Sequence, residues 1–321
     1  MAKIFVTRQI PGKALEQLRQ AHEVNIYAGE GKISRGELLA GVKGVDAILS
    51  LLTEKIDEEV FAAAGPNLRI VANYAVGFDN VDLEAAKKHN VMVTNTPSSL
   101  GDAVAEMAVT LTMALARLIM PADKYMRGGN YKAWDPSIFL GLDLTGKTLG
   151  VVGAGTIGSV VGKRMKAVFE MQVLYSGHHE NVEFEQATGG RLVTLEELLK
   201  TADVVTLHVP LTPETRHMIG REQLVLMKPT AILINTARGP VVEEKALREA
   251  LEQKKIWGAA LDVYEEEITG EIEKQFNHLD NVILTPHIAS ATLAAREEMT
   301  QMVVESILDV LAGKTPAYLV K

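Results

Sequence analysis

The sequence predicts an α/β protein with two doubly wound parallel sheets, and three observations support that fold class. Short runs rich in β-branched residues alternate with longer helical patterns along almost the whole chain, which is typical of parallel βαβ units. The 321 residues are enough for two domains. Aromatic residues make up only 5% of the chain, whereas Val, Leu, Ile and Ala are abundant, as in sheets that helices cover on both faces.

The first series of elements ends in a long helix. A shorter helix over 83–89 has Asp82 in the position of an N-cap. The stretch 98–120 is helical in pattern and too apolar for a surface helix, so it is either a connector buried between two domains or a core helix of one domain. A loop is predicted over 127–136. The predicted strands of this series are 3–7, 23–27, 47–51, 68–73 and 91–94, with a further helix over 13–21.

A second series begins at Lys147 and contains six predicted strands, the number in a complete dinucleotide-binding sheet. The chain then ends in a long helical pattern over 292–311 that no strand follows. Pairing this helix with the one over 98–120 would return the C-terminus to the first domain. The six strands are 148–152, 172–175, 204–209, 231–235, 258–261 and 282–284.

Composition and charge exclude several classes of function. The chain carries 33 Lys and Arg against 41 Asp and Glu, a net charge of -8, whereas general nucleic-acid and anionic-membrane binders present a basic face. The absence of cysteine excludes disulfides, thiolate zinc sites and a cysteine nucleophile. The apolar N-terminal stretch is too short for a signal peptide and no later run reaches about 18 apolar residues. We therefore expect a cytoplasmic protein with no nucleic-acid or membrane partner.

A glycine-rich turn opens the second series directly after its first strand. The first glycine permits the tight turn, the second lets a pyrophosphate approach the backbone, and the third allows close helix packing. The positive end of the following helix then faces the phosphates. This context predicts a dinucleotide site, with an ordinary glycine-rich turn as the alternative. The motif reads Gly153-Ala154-Gly155-Thr156-Ile157-Gly158.

The second strand of this series ends without the carboxylate that binds the adenosine ribose in NAD-preferring sites. Ser176, Gly177, His178 and His179 stand there instead. Because a serine and histidines can donate to a 2′-phosphate, the sequence slightly favours NADP(H), and NAD(H) stays open since no arginine is present. The alternative for both histidines is a solvated turn. A metal site is not expected, because adjacent histidines diverge and no third ligand is evident.

Three residues that suit the reduction of a 2-oxo acid follow predicted strands. Arg238 can bind a carboxylate through its planar fork and polarise a carbonyl, and His287 can donate a proton to the carbonyl oxygen. Glu267 would favour the protonated form of that histidine, since an isolated histidine is mostly neutral near pH 7. As alternatives, Arg238 would form a surface ion pair, Glu267 would belong to a solvated acidic run and His287 would be an ordinary loop histidine. All three residues lie beyond strand ends of one predicted sheet, where such sheets bind ligands, and this shared placement favours a catalytic role.

With these motifs the chain resembles the D-isomer-specific 2-hydroxyacid dehydrogenase family, and within it the glyoxylate/hydroxypyruvate reductase branch. The matching segments span nearly the whole chain in the family's order, which is more specific than any single motif. They are 73–80 (NYAVGFDN), 144–150 (LTGKTLG), 153–158 (GAGTIG), 209–212 (VPLT), 235–239 (NTARG) and 286–292 (PHIASAT).

The resemblance implies that Arg238, Glu267 and His287 are the catalytic residues. It also implies a homodimer, and a flavodoxin-like substrate domain (1–98 and 288–321) into which a Rossmann dinucleotide-binding domain (99–287) is inserted. Asp262 matches the aspartate that meets the nicotinamide carboxamide, with a helix or loop cap as the alternative. Cofactor contacts beyond the glycine-rich turn are expected at Ser176, Gly177, His178, Val209, Pro210, Thr236, Ala237, Asp262 and Ala289.

Further matches concern the substrate. In the family the amides at Val76 and Gly77 bind the substrate carboxylate, as suits exposed N–H groups in a turn after a strand. Leu52 matches an apolar pocket wall and Arg296 an additional pocket arginine. Trp134 matches a tryptophan that reaches the neighbouring subunit's site, with a plain interface anchor as the alternative.

We therefore expect NAD(P)H-dependent reduction of glyoxylate and hydroxypyruvate. One alternative is another substrate of the same family: 2-ketogluconate, 3-phosphoglycerate or D-lactate/pyruvate. The other, from a different class, is a dinucleotide-sensing module that resembles a corepressor. The chain departs from the family pattern after Glu267, where Ile268 and Thr269 replace the usual Pro-Leu pair, so the geometry of that loop is not implied by the resemblance.

Overall fold

The computed structural model describes residues 1–97, 100–265 and 275–320, and the chain divides into two compact units. The first unit comprises Met1–Leu100 and Ala291–Lys321, and the second comprises Gly101–Ser290. The chain therefore leaves the first unit, builds the second and returns to the first. The boundaries expected from the sequence lie after residues 98 and 287.

A parallel sheet forms the centre of the first unit. Its described strands are β1 (Lys3–Val6), β2 (Glu23–Ile26), β3 (Ala47–Leu51), β4 (Ile70–Tyr74) and β5 (Met92–Thr94). The order across the sheet is β2-β1-β3-β4-β5, which is the flavodoxin-like order and reverses between β1 and β3. The predicted α/β class is confirmed for this unit.

The helices of the first unit begin where short polar side chains cap them. Ser34 and Glu37 form a capping box, and the predicted cap Asp82 accepts a hydrogen bond from the Ala85 amide at 2.9 Å. Thr292 caps the last helix in the same way. The helices are α1 (Leu15–Ala21), α2 (Arg35–Gly41), α3 (Glu58–Ala64), α4 (Leu83–Lys88) and, from the C-terminal part of the chain, α12 (Leu293–Leu311).

The second unit contains a larger parallel sheet. Its described strands are β6 (Thr148–Val152), β7 (Gln172–Ser176), β8 (Arg191–Leu192), β9 (Val204–Leu207), β10 (Ile232–Asn235), β11 (Gly258–Leu261) and β12 (Val282–Leu284). Their order is β12-β11-β10-β9-β6-β7-β8, the Rossmann order, which reverses between β6 and β9. The sequence did not predict β8, because two edge residues show no periodicity.

Both faces of the second sheet are covered. Alternate residues of β9 enter two separate cores, Val205 and Leu207 on one face and Val204 on the other. The helices that follow α4 along the chain are α5 (Leu100–Ala116), α6 (Ile119–Arg127), α7 (Thr156–Phe169), α8 (Val182–Thr188), α9 (Leu195–Thr201), α10 (Arg221–Leu226) and α11 (Glu244–Glu252).

The helix predicted over 98–120 was wrong at its C-terminal end. Helix α5 ends at Ala116, Leu118 adopts a left-handed conformation with a φ of 54°, and α6 then leaves at an angle of 64°. Pro121 suits this break, because it lies in the first turn of α6, where its missing N–H is not needed. Helix α5 packs Ala105, Ala108 and Leu111 into the core of the second unit, in agreement with the core-helix alternative.

No single helix within the described residues is long and apolar enough to cross a membrane. The bent pair α5 and α6 reaches the required length and apolarity only when its two helices are counted together.

Candidate active site

The glycine-rich turn links β6 to α7, and each of its glycines meets a different demand. Gly153 has a φ of 91°, and a Cβ there would lie 2.8 Å from the His208 carbonyl oxygen. A Cβ at Gly158 would overlap the Gly153 carbonyl oxygen. A Cβ at Gly155 would meet nothing within 4 Å, so this position is open to a ligand.

The first turn of α7 lies beside that open position, and the first amides of a helix have no partner within the helix itself. The helix has Gly155 as its N-cap with no side-chain cap, and both Gly155 and Thr156 are exposed. The Ala154 carbonyl faces the other way, where it accepts hydrogen bonds from Asn181 Nδ2 at 2.7 Å and Ser159 Oγ at 3.1 Å. These features fit the pyrophosphate of a dinucleotide. Asn181 was not predicted, since nothing in the motif marks it.

The end of β7 carries the residues expected near the adenosine. Ser176 is half-buried, whereas Gly177, His178 and His179 are exposed. An acidic side chain of the loop after β9 interacts with this region. A hydrogen bond from the Thr212 hydroxyl and a backbone hydrogen bond lower the pKa of Glu214, and the charge of His178 lowers it further by a smaller amount. Sequence reasoning missed Glu214 because it sought a carboxylate at the end of β7 alone.

The loop after β9 contains Val209 and Pro210, the next expected cofactor contacts. The Pro210 carbonyl is held by Thr215 Oγ1 at 2.6 Å. The preceding His208 shares a hydrogen bond with Thr206 Oγ1 at 2.8 Å, and burial lowers the pKa of His208 to about 3. This imidazole is therefore neutral at ordinary pH.

Arg238 is placed by a turn that Asn235 organises at the end of β10. Asn235 accepts a hydrogen bond from the Ala237 amide and donates one to the Arg238 carbonyl, both at 3.0 Å. Gly239 packs so closely on the Tyr264 backbone that a Cβ would overlap it. Arg238 is half-buried, and Thr236 Oγ1 is buried with no hydrogen-bond partner among the described residues, as suits a group that a ligand satisfies.

His287 lies in the loop after β12, which the buried Asp262 carboxylate holds. Asp262 Oδ1 accepts hydrogen bonds from Thr285 Oγ1 at 2.6 Å and the Ile288 amide at 2.9 Å, and Oδ2 accepts one from the Ala289 amide at 2.8 Å. His287 itself is half-buried, with a left-handed φ of 54°. The structure thus supports the loop-cap alternative for Asp262, and its contact with the nicotinamide carboxamide stays a prediction.

The structure brings the carboxyl ends of three adjacent strands together. Arg238 follows β10, Asp262 follows β11 and His287 follows β12, and these strands are neighbours in the sheet. The Asp262 amide donates to the Asn235 carbonyl at 3.0 Å, which joins the first two loops. Glu267 lies outside the described residues, so its pairing with His287 stays a prediction.

The expected substrate residues fall in both units. In the first unit Val76 and Gly77 follow β4, and Leu52 follows β3. Arg296, in the first turn of α12, lies over the Tyr74 ring at 5.9 Å from its centroid. Trp134 belongs to the second unit and is 78% exposed.

Comparisons with known proteins agree with this architecture. Residues 109–289 match the family model described as D-isomer specific 2-hydroxyacid dehydrogenase, NAD binding domain. A glyoxylate reductase of Thermococcus onnurineus is 48% identical, over 99% of this chain and 95% of the relative.

Two solved structures are similar over nearly their whole length. The TT0316 protein of Thermus thermophilus has a TM-score of 0.93 and 43% identity, covering 99% of this chain and 100% of its own. An acyclic imino acid reductase, Bsp5, in complex with NADPH and D-Arg has a TM-score of 0.86 and 29% identity, covering 99% of this chain and 100% of its own. The chain therefore belongs to the D-isomer-specific 2-hydroxyacid dehydrogenase family, whose members are oxidoreductases with a nicotinamide dinucleotide as cofactor.

Proposed function

We propose that the protein reduces small 2-oxo acids with NAD(P)H, glyoxylate and hydroxypyruvate before others. The observation that carries the proposal is the placement of Arg238 and His287 beyond β10 and β12 of one dinucleotide-binding sheet, at the edge where such sheets bind ligands. The relative of Thermococcus onnurineus, named a glyoxylate reductase, supports this substrate choice over the others in the family.

The proposed reaction divides its work among a few side chains. When bound, the nicotinamide supplies a hydride for the 2-carbon of the substrate. Arg238 binds the carboxylate through its fork and polarises the carbonyl. His287 donates a proton to the carbonyl oxygen and becomes neutral, and Glu267 keeps that imidazole protonated beforehand. Hydride and proton together convert the 2-oxo acid into the 2-hydroxy acid.

In this proposal the first unit is the substrate domain. The amides of Val76 and Gly77 bind the substrate carboxylate, Leu52 forms an apolar wall and Arg296 adds a cation. The second unit is the dinucleotide domain, and the expected cofactor contacts are individual residues that lie between Gly153 and Ala289 in the chain.

NADP(H) is the proposed preferred cofactor, by a small margin. Ser176 and His178 can both donate to a 2′-phosphate, and β7 ends in Tyr175-Ser176 without a carboxylate. Glu214 near His178 opposes a strong preference, because a carboxylate repels a phosphate. Replacing Ser176 with Asp is expected to raise the ratio of kcat/KM with NADH to kcat/KM with NADPH, and an unchanged ratio would contradict the ribose argument.

The proposed assembly is a homodimer formed through the C-terminal turn of α5 and the segment that follows it. Large apolar side chains are exposed there in unusual number, and such patches mark interaction surfaces. Sedimentation equilibrium should show a dimer that the double substitution Ile119→Lys with Met120→Lys dissociates; a monomeric wild-type protein would contradict the proposal. The exposed side chains are Met113, Ile119, Met120, Met126, Tyr131, Trp134, Ile138 and Leu140.

A substrate panel tests the proposed activity. Values of kcat/KM are measured for glyoxylate, hydroxypyruvate, pyruvate and 2-ketogluconate, each with NADH and with NADPH. We expect glyoxylate and hydroxypyruvate to give the highest values. Tight dinucleotide binding without cofactor oxidation by any 2-oxo acid would instead favour the dinucleotide-sensing module.

A further inference from the structure

The turn after β4 has three consecutive carbonyl groups that are each bound by another part of the first unit. The Ala75 carbonyl accepts a hydrogen bond from the Thr96 amide at 2.8 Å. The Val76 carbonyl accepts one from Asn95 Nδ2 at 2.6 Å, and the Gly77 carbonyl accepts one from Asn73 Nδ2 at 3.0 Å. Two asparagine side chains and one backbone amide therefore determine which way these peptide groups face.

The bound carbonyls determine where the next amides point. In a trans peptide the C=O of one residue and the N–H of the next point in opposite directions, and the described chain contains no cis peptide. Each bound carbonyl at residues 75, 76 and 77 therefore turns the amide of the following residue, Val76, Gly77 or Phe78, away from the partner that holds it. Within residues 1–97, 100–265 and 275–320, none of these three amides donates a hydrogen bond.

Asn73 is held in the orientation that makes it a donor to the turn. Its side chain is fully buried, and its Oδ1 accepts hydrogen bonds from Ser50 Oγ at 3.0 Å and Asn80 Nδ2 at 3.2 Å. Its Nδ2 donates to Asn80 Oδ1 at 3.0 Å as well as to the Gly77 carbonyl. Exchanging the oxygen and nitrogen would place two acceptors against each other, so this network determines the orientation.

Asn80 joins this network to the neighbouring turn after β3. Its Nδ2 donates to the Leu51 carbonyl at 3.1 Å and the Glu54 carbonyl at 3.0 Å. The buried Glu54 carboxylate in turn accepts a hydrogen bond from the Leu51 amide at 2.7 Å. The asparagines are therefore attached to a second fixed segment and do not depend on the exposed turn for their position.

We infer that Asn73 and Asn95 are positioning residues that aim three backbone amides, those of Val76, Gly77 and Phe78, at the carboxylate of a 2-oxo acid. The inference rests on the proposed function and adds the Phe78 amide to the pair expected from the sequence. An asparagine suits the task because it is a neutral donor: an aspartate at either position would repel the carbonyl, and an alanine would leave the peptide free to rotate.

Steady-state kinetics with Asn95 variants test this assignment. Asn95→Ala should raise the KM for glyoxylate about tenfold, the size expected when a hydrogen bond to a charged group is weakened, and Asn95→Asp should raise it more. The kcat and the KM for the dinucleotide should stay within about twofold, which a general loss of structure would not produce. Asn67→Ala, at an exposed asparagine of the same unit, is the matched control.

A binding measurement separates this inference from the proposed function. The protein is labelled with ¹⁵N-phenylalanine, the Phe78 amide signal is assigned by its loss in Phe78→Leu, and the non-reacting carboxylate oxamate is added in the presence of NADH. We expect oxamate to shift the Phe78 signal in the wild type, and to shift it only at higher concentration in Asn73→Ala and Asn95→Ala.

The outcomes point to different conclusions. If the wild type reduces no 2-oxo acid but oxamate shifts the Phe78 signal in a way that depends on Asn73 and Asn95, the proposed function fails and the inference stands. If the wild type is active and the Asn95 variants keep its KM for glyoxylate, the inference is wrong. An oxamate-insensitive Phe78 signal also overturns it.

Discussion

Asp262 offers a direct test of how the His287 loop is held. The carboxylate is fully buried and accepts three hydrogen bonds from the loop, two through Oδ1 and one through Oδ2. In Asp262→Asn an NH₂ group replaces one oxygen. In the better orientation it faces the Ala289 amide, so one hydrogen bond is lost and a buried donor is left without an acceptor.

The cost of this substitution follows from those contacts. A lost hydrogen bond to a charged group costs about 1.5–3 kcal/mol, and the two remaining bonds weaken because their acceptor becomes neutral, so we expect the free energy of unfolding to fall by about 2–4 kcal/mol. If the loop shifts by about 1 Å, kcat should also fall, on the order of 100-fold.

Urea unfolding followed by circular dichroism measures the first effect, and steady-state kinetics the second. Thr285→Val removes only one of the three hydrogen bonds and should cost about 1–2 kcal/mol. Asp135→Asn, at an exposed carboxylate that bonds Ser137, should change stability by less than about 0.5 kcal/mol. A wild-type unfolding midpoint together with a wild-type kcat in Asp262→Asn would refute the role of Asp262 in holding the His287 loop.

The remaining predictions concern four other residues. His287→Asn should lower kcat by about 10²–10⁴-fold and leave the Kd for the dinucleotide unchanged in a fluorescence titration. Asparagine is chosen because it tolerates the left-handed backbone at this position, and normal turnover would disprove the role of His287. Arg238→Lys should raise the KM for glyoxylate at least about tenfold, because a point charge cannot replace the fork; unaltered kinetics would count against it. Gly155→Val should weaken NADPH binding in calorimetry without lowering the melting temperature, since its Cβ meets only open space, and Gly36→Ala serves as the control. His208 is neutral in the folded protein, because burial lowers its pKa to about 3, and it titrates near pH 6.5 in the unfolded chain. As the pH drops from about 6.5 towards 3, only the unfolded state gains this proton, so the free energy of unfolding decreases. His208→Gln should flatten that pH dependence in unfolding measured at several pH values, and a slope parallel to that of the wild type would contradict the assignment.

Much of the framework could be predicted because local pattern and buried position agree. The strand over 148–152 and the glycine motif that follows it were predicted to the residue, since each glycine answers a steric demand within a few positions. The break at Leu118 could not be predicted, because an apolar run continues across it and only tertiary packing decides where α5 ends. Family and fold class were confirmed.

The supporting network of the site was beyond prediction for another reason. Asn73 lies on β4 and Asn95 follows β5, yet both bond the same turn, and the loop residues that Asp262 bonds lie more than twenty positions further along the chain. Such hydrogen bonds depend on strand order, which no local pattern encodes. Glu214 was missed likewise, because it reaches the β7 end from a different loop.

The chain order of the two units has a consequence for biosynthesis. Helix α12 packs against β4 and α1 of the first unit and buries Met299, Val303 and Ile307. Roughly 190 residues separate residue 100 from residue 291, so at ~5–20 residues per second a ribosome needs ~10–40 s to reach them. During that interval the nascent first sheet lacks the cover of α12, and the inserted unit can complete its own sheet first. We therefore expect truncation before α12 to leave a folded second unit joined to an aggregation-prone N-terminal segment.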